Sequence, residues 1–186
     1  PQHKIIGAVG RLHRQKGFDL LIHTTKRVAG NYPGLRVFIV GDGPQRMELE
    51  KLIQDLRLTE NIIITGWRKD IRDLMSLCDV FILSSRWEGF PNVVLEAMSL
   101  AKPVIATKVS GVTELIEHQK TGFLVDIENI VQLVEGVDFF FQNPHRAQRI
   151  GRAAEQYVRE KFPIARMVTQ TLALYEDLLK QKGLIR

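Results

Sequence analysis

The chain has 186 residues, 45% hydrophobic and 25% charged, the composition of one globular domain with a sizeable core. Its net charge is +5, but the basic side chains are scattered among acidic neighbours, as in Arg46–Lys51 and Arg146–Lys161, so no nucleic-acid stripe is visible and the moderate basicity fits phosphate ligands or an anionic surface equally well. No apolar run approaches the ~20 residues of a membrane span, and the single cysteine, Cys78, excludes an internal disulfide and fits a reducing compartment.

The start, PQHKIIGAVG, enters a strand almost at once and carries no secretory signal. A chain that opens on Pro1 without an initiator Met reads as an excised piece of a longer one. Ile5–Val9 is a predicted buried strand, and Gly17–Ala29 follows with Phe18, Leu21, Ile22 and Val28 at helical spacing. Arg36–Val40 is a second strand, and Gln45–Leu56 an amphipathic helix with Leu49, Leu52, Ile53 and Leu56 on one stripe. Ile62–Ile64, Val80–Leu83, Val104–Ala106 and Phe123–Val125 complete the strands; short helices are expected over Ile71–Leu77 and Gly111–Ile116. Cys78, in an apolar run before the fourth strand, reads as buried filler. From about Glu128 onward the pattern is helical only, and Ile164–Lys180 carries two apolar stripes, a face broad enough to pack on the sheet and reach a neighbour.

Alternating strands and helices predict an α/β fold, a Rossmann-like open parallel sheet with helices on both faces. In such sheets ligands bind beyond the carboxyl ends of the strands. The loops there are Gly10–Lys16, Gly41–Pro44, Thr65–Lys69, Ser84–Asn92 and Thr107–Gly111.

The fourth of these loops carries the clearest chemistry. Glu88 and Glu96 bracket EGFPNVVLE, where a polar loop enters an apolar helix near Asn92, a residue type suited to the N-cap. Glu88 then lies in the loop and Glu96 about one turn inside the helix, both toward a mouth where free N–H groups and the helix dipole attract anions. Phosphate-friendly amides beside two hydroxyl-binding carboxylates suit a sugar nucleotide. Glutamate near a helix start is also favoured by the dipole alone, so both readings of Glu96 stay open.

In the first loop, GRLHRQKGF, Gly10 permits close backbone approach, and Arg11 and Lys16 bring two cations to one rim, enough to neutralise a diphosphate without metal. A solvated basic loop is the plain alternative. Arg14 is a weaker third cation, and His13 reads as a surface histidine. The second loop, VGDGPQR, misses the dinucleotide fingerprint because Arg46 stands where its third glycine belongs. Its Gly-Asp-Gly-Pro run reads as a tight turn admitting a ligand or a facing domain. In the third loop, Trp67 and Arg68 could hold a nucleobase, or Trp67 could plug the sheet edge. The five histidines lack metal-ligand spacing, no Asp-x-Asp motif occurs, and no G-x-S-x-G elbow supports a serine hydrolase, so no metal is expected.

Taken in order, GRLHRQKGFDLLI, VGDGP, GW, SSRWEGFPNVVLEAM, PVIAT, SGVTELI and TGFLV closely resemble the retaining glycosyltransferases of the GT-B fold called group 1, or family 4. The likeness covers nearly the whole chain and is to their C-terminal, nucleotide-sugar-binding domain. It implies that Arg11 and Lys16 bind the donor diphosphate. Glu88 would hold sugar hydroxyls, with Phe90, Pro91 and Asn92 offering backbone contacts. Glu96 would accept from the ribose hydroxyls, and Trp67 and Arg68 would border the base. In such enzymes the acceptor site and a histidine near the donor sugar lie in an N-terminal domain, which is expected as a partner beyond this chain.

The resemblance implies transfer from a nucleoside diphosphate sugar, expected to be a UDP-sugar, to a carbohydrate or lipid-linked hydroxyl. Cofactor and nucleic-acid partner are expected to be absent. A cytoplasmic location is expected, with peripheral contact at the inner face of a membrane through the full-length protein. The competing readings are a non-catalytic nucleotide-binding module and a sugar-nucleotide epimerase of the same fold.

Overall fold

The computed structural model describes residues 3–184. Its strands are β1 (Lys4–Val9), β2 (Leu35–Val40), β3 (Ile62–Gly66), β4 (Val80–Leu83), β5 (Val104–Thr107) and β6 (Phe123–Val125). They form one sheet in the order β3-β2-β1-β4-β5-β6, every neighbouring pair parallel. β1 is central: Ile6 lies opposite Val37 on one side and Val80 on the other. The helices are α1 (Phe18–Val28), α2 (Arg46–Asp55), α3 (Ile71–Leu77), α4 (Asn92–Ser99), α5 (Val112–Leu115), α6 (Ile130–Gln142), α7 (Pro144–Lys161) and α8 (Ile164–Gln181).

The apolar runs of the strands feed two cores, because successive side chains point to opposite faces. Val37 and Ile39 of β2, Val80 and Ile82 of β4 and Ile105 of β5 join one core with α1, α2 and α6. The alternate residues Phe38, Val40, Phe81, Leu83, Val104 and Ala106 join the other with residues of α3, α4 and α5. α7 spans both: Ala147 and Ile150 sit in the first core, Ala154 and Val158 in the second. It begins at Pro144, whose fixed φ and missing N–H suit a first helical turn. The buried hydroxyls of Thr24 and Thr25 are satisfied within α1, donating to the carbonyls of Leu20 and Leu21 at 2.8 Å each. Cys78 is buried, and burial pushes its thiol up to about 12, as expected of inert filler.

Two expectations need correction. Asn92 does not cap α4. It is the first helical residue; Pro91 holds the cap position without a side-chain hydrogen bond, and its carbonyl accepts from Val94 N–H at 2.9 Å. The last helix, α8, does not pack on the sheet. All its residues are exposed, including Met167, Leu172, Leu174 and Tyr175. The physical reason is occupancy: α1, α2 and α6 cover one face, and α3, α4, α5 and the end of α7 cover the other.

Candidate functional site

All pairings are parallel, so the loops that follow β1 to β5 leave from one edge of the sheet. Backbone hydrogen bonds knit three of them together. Gly10 N–H donates to Val40 O (2.9 Å), Leu12 N–H to Asp42 O (3.0 Å), Gln45 N–H to Leu12 O (3.0 Å) and Gly41 N–H to Gly66 O (2.9 Å). Gly41 has φ +145°, and a β-carbon there would sit 1.9 Å from Gly10 O. Both glycines of the Gly-Asp-Gly-Pro turn therefore admit the backbone of the first loop, a β-carbon on Gly43 falling 2.5 Å from Leu12 O. This supplies a structural reason for glycine at a near-miss fingerprint.

The first and fourth loops meet at a charged pair. A 3₁₀ turn, Arg14–Lys16, starts at His13, whose Nδ1 accepts from Gln15 N–H at 3.3 Å. The turn ends at Gly17, in the left-handed region at φ +62°, with its missing side chain directed at Ser84 O. This ending lets the chain press against the start of the fourth loop, where Ser84 Oγ donates to Lys16 O at 3.0 Å. Lys16 Nζ donates to Glu88 Oε1 at 2.6 Å, and Ser85 Oγ donates to the same oxygen at 2.6 Å. Gln15 Nε2 reaches Trp87 O at 3.0 Å and Glu88 Oε2 at 3.5 Å. The Glu88 side chain is only 7% exposed and that of Lys16 18%, so both charges are largely withdrawn from water and depend on one another.

The remaining candidates have different surroundings. Arg11 is exposed on the first loop, and no described group hydrogen-bonds its guanidinium. Gly10 lies under the aliphatic stem of Lys16. Phe90 is half exposed, its ring centroid 6.1 Å from that of Phe162; Pro91 is buried and Asn92 exposed. Glu96 lies exposed on α4 with no described side-chain partner. Trp67 is 70% exposed, so it is no hydrophobic plug, and Lys69 Nζ stands 5.9 Å from the centre of its ring. Arg68 forks onto Asp70, Nε to Oδ1 at 2.8 Å and Nη2 to Oδ2 at 2.5 Å. That hydrogen bond holds the Asp70 carboxyl below its ordinary value and raises Arg68.

Sequence reasoning missed Arg86, which lies in the fourth loop and reaches across to the first. Its guanidinium forks onto Asp19 of α1, Nη1 to Oδ1 at 2.8 Å and Nη2 to Oδ2 at 2.7 Å, and Nε reaches Glu128 Oε1 at 2.5 Å. Burial tends to raise the Asp19 carboxyl, but the hydrogen bonds and charge of Arg86 outweigh it and hold the carboxyl below its ordinary value. The available signal was position: Arg86 lies two residues before Glu88. Asp19 lies in the first turn of α1, where nothing in the sequence singles it out. Thr107 Oγ1 braces the same loop, donating to Ser85 O at 2.6 Å.

Among the described residues no His, Cys, Asp or Glu cluster has a metal-ligand arrangement, and no helix is long and apolar enough to cross a membrane.

A profile of the family described as "Glycosyl transferases group 1" matches residues 1–157. The chain belongs to this family. An uncharacterized glycosyltransferase of Haemophilus influenzae is 34% identical over 144 residues, 77% of this chain and 41% of the relative. Anabaena Alr3699/HepE, solved in complex with UDP-glucose, superimposes with a TM-score of 0.86 at 29% identity, covering 92% of this chain and 49% of that one. The C-terminal domain of the group 1 protein LpcC from Francisella tularensis superimposes with a TM-score of 0.81 at 26% identity, covering 88% of each chain. The fold is thus that of the GT-B glycosyltransferases, and this group 1 chain spans about half the length or less of the curated relatives it matches.

Proposed function

We propose that this chain is the donor-binding domain of a retaining, metal-independent glycosyltransferase. The enzyme moves a sugar from a nucleoside diphosphate sugar, UDP-linked by preference, to a carbohydrate or lipid-linked hydroxyl. The observation that carries this reading is the Lys16–Glu88 pair, which sets a cation for phosphate beside a carboxylate for sugar hydroxyls at one strand-end rim. The binding of UDP-glucose by the Anabaena neighbour supports the choice of donor.

Strand order gives the donor a direction. The loops after β3, β2, β1 and β4 stand side by side. Adjacent strands lie about 4.8 Å apart, so Trp67 and Glu88 belong to loops leaving the sheet roughly 15 Å from one another. A base beside Trp67 and Arg68, a diphosphate at Arg11 and Lys16, and a sugar at Glu88 and the Phe90–Asn92 backbone follow that order. Glu96, on α4 after β4, is assigned to the ribose hydroxyls by the family resemblance and not by strand order. The cations stabilise the diphosphate as negative charge develops on it during departure. Glu88 orients the sugar through its hydroxyls; no nucleophilic role is assigned to it.

The acceptor and the groups that activate it belong to an N-terminal domain of the same polypeptide, facing this rim. The full-length protein would work in the cytoplasm, touching the inner face of a membrane where its acceptor is lipid-linked. Isothermal calorimetry on the 186-residue chain with UDP, GDP and ADP, with and without EDTA, tests donor binding. UDP binding that survives EDTA is expected. A strict need for a divalent ion would overturn metal independence, and no binding of any nucleotide would overturn the donor-domain reading. Assay of the full-length protein for transfer against donor epimerisation separates the transferase from an epimerase.

A further inference from the structure

We propose that Arg86 is a positioning residue for the sugar end of the donor, fixing Glu88 against Lys16 from behind through its fork on Asp19. The inference rests on the nucleotide-sugar reading of the site and adds to it a residue that touches no part of the donor.

Arg86 is bound on every side. Besides the fork on Asp19 and the contact with Glu128, its Nη1 donates to Arg14 O at 2.9 Å, and its own N–H donates to Gln15 O at 2.7 Å. The two carbonyls it engages belong to the 3₁₀ turn that ends in Lys16. Glu88 is two residues further along its own loop. One guanidinium thus ties the segment carrying the phosphate-binding cation to the segment carrying the sugar-binding carboxylate. It also ties both to the first turn of α1, which packs in the core through Leu21, Ile22 and Val28.

The contacts are those of a deliberate clamp. The Asp19 side chain is 33% exposed, against 58% for Glu128, so the inner fork on Asp19 is the better-shielded contact. Glu128 has φ +64°, a left-handed conformation that a glutamate rarely adopts, and its carboxylate closes the outer side of the clamp. Only a planar guanidinium can fork onto Asp19 while also reaching a third carboxylate oxygen and a carbonyl; a lysine ammonium offers one point of charge. A displacement on the order of 1 Å in such a support is enough to misalign a reacting group.

The test uses the 186-residue chain and its affinities for UDP and UDP-glucose, measured by calorimetry for the unsubstituted protein, Arg86→Ala, Arg86→Lys and Asp19→Asn. Circular dichroism and urea unfolding accompany each. A clamp acting on the sugar end changes the ratio of the two affinities. We expect the UDP-glucose to UDP affinity ratio to fall about tenfold in Arg86→Ala, to stay low in Arg86→Lys, and to fall less steeply in Asp19→Asn. A merely stabilising arginine would lower the urea midpoint and leave the ratio where it was, which would overturn the inference. Should Arg86→Ala fail to fold, Asp19→Asn carries the same test with the side-chain shape preserved. Absence of nucleotide binding in the unsubstituted chain would overturn the donor-site reading and this inference with it; intact binding with an unchanged ratio would overturn the inference alone.

Discussion

Lys16 Nζ lies 2.6 Å from Glu88 Oε1, across 72 residues of sequence and from loops that leave the adjacent strands β1 and β4. The two proposed ligand groups therefore neutralise one another before any donor arrives. Diphosphate must share Lys16 with Glu88, and a sugar hydroxyl must share Glu88 with Lys16, Ser85 and Gln15. We predict that Glu88→Gln separates the two ends of the donor. A hydrogen bond to a charged group contributes about 1.5–3 kcal/mol, on the order of tenfold to a hundredfold in affinity. UDP-glucose should lose that much, while UDP changes little because Lys16 is released toward phosphate. Equal losses for the two ligands in calorimetry would contradict the division of labour.

Glu96 gives a cleaner substitution. It is exposed and has no described side-chain partner, so Glu96→Ala should shift stability by no more than about 0.5 kcal/mol. If its carboxylate takes the ribose hydroxyls, UDP and UDP-glucose should weaken together, again by roughly tenfold or more. Unaltered UDP affinity with an unaltered urea midpoint would leave Glu96 as nothing but a helix-start charge.

Gly41→Ala should be costly in stability although the position is near the surface. The new β-carbon would meet Gly10 O at 1.9 Å, at a φ that side chains rarely adopt. A strained backbone conformation alone costs about 1–3 kcal/mol, and relieving the clash must also shift the first loop. Urea unfolding should report a loss of at least that size, with weaker UDP binding by the folded fraction because Lys16 rides on the displaced loop. A stable variant with normal affinity would show the two loops to be independent.

The sheet was legible because each strand is a short apolar run between helical patterns, and parallel strands buried on both faces require such runs. Glu88 and Lys16 were legible because they sit in loops at strand ends. Their ion pair was not, since nothing local to Lys16 marks residue 88. Arg86 was hidden for the same reason: its partners Asp19 and Glu128 are 67 and 42 residues away. The cap of α4 was misread because Asn is a favoured cap type, whereas the preceding Pro91 already has a fixed φ and a carbonyl that accepts the first helical N–H, that of Val94. The two stripes of α8 were read correctly as apolar and wrongly as sheet-facing, because amphipathicity tells that a face wants a partner and not which partner.

Asp19 should make the fold sensitive to acid. Its folded-state carboxyl lies below the ordinary value. Its contribution is therefore complete above the unfolded value of about 3.9 and is lost as pH falls through the lower folded value. Asp19→Asn removes that dependence. We expect the stability gap between the unsubstituted chain and Asp19→Asn to be largest near neutrality and to shrink below about pH 4. Urea midpoints at several pH values would show it; a gap that widened in acid would reverse the assigned sign.

The 186-residue chain should show no transferase turnover by itself. Transfer needs an acceptor hydroxyl held about 3–3.5 Å from the anomeric carbon in a site closed to water. The proposed donor groups lie on loops at one rim of one sheet, with Arg11, Trp67 and Glu96 exposed and no second body opposite them among the described residues. α8 points the same way. Met167, Leu172, Leu174, Tyr175 and Leu178 are each at least 44% exposed on a helix that neither core accepts. An N-terminal domain could bury part of that face and close the rim together. The measurement is product formation from UDP-glucose and a hydroxyl acceptor by the 186-residue chain, set against the full-length protein under the same conditions. Charged substitutions at Leu172 and Leu178 should then harm the full-length protein while leaving UDP binding by the 186-residue chain intact, because neither residue touches the donor loops. Comparable turnover by the short chain would overturn the two-domain requirement and demand an acceptor site within these residues.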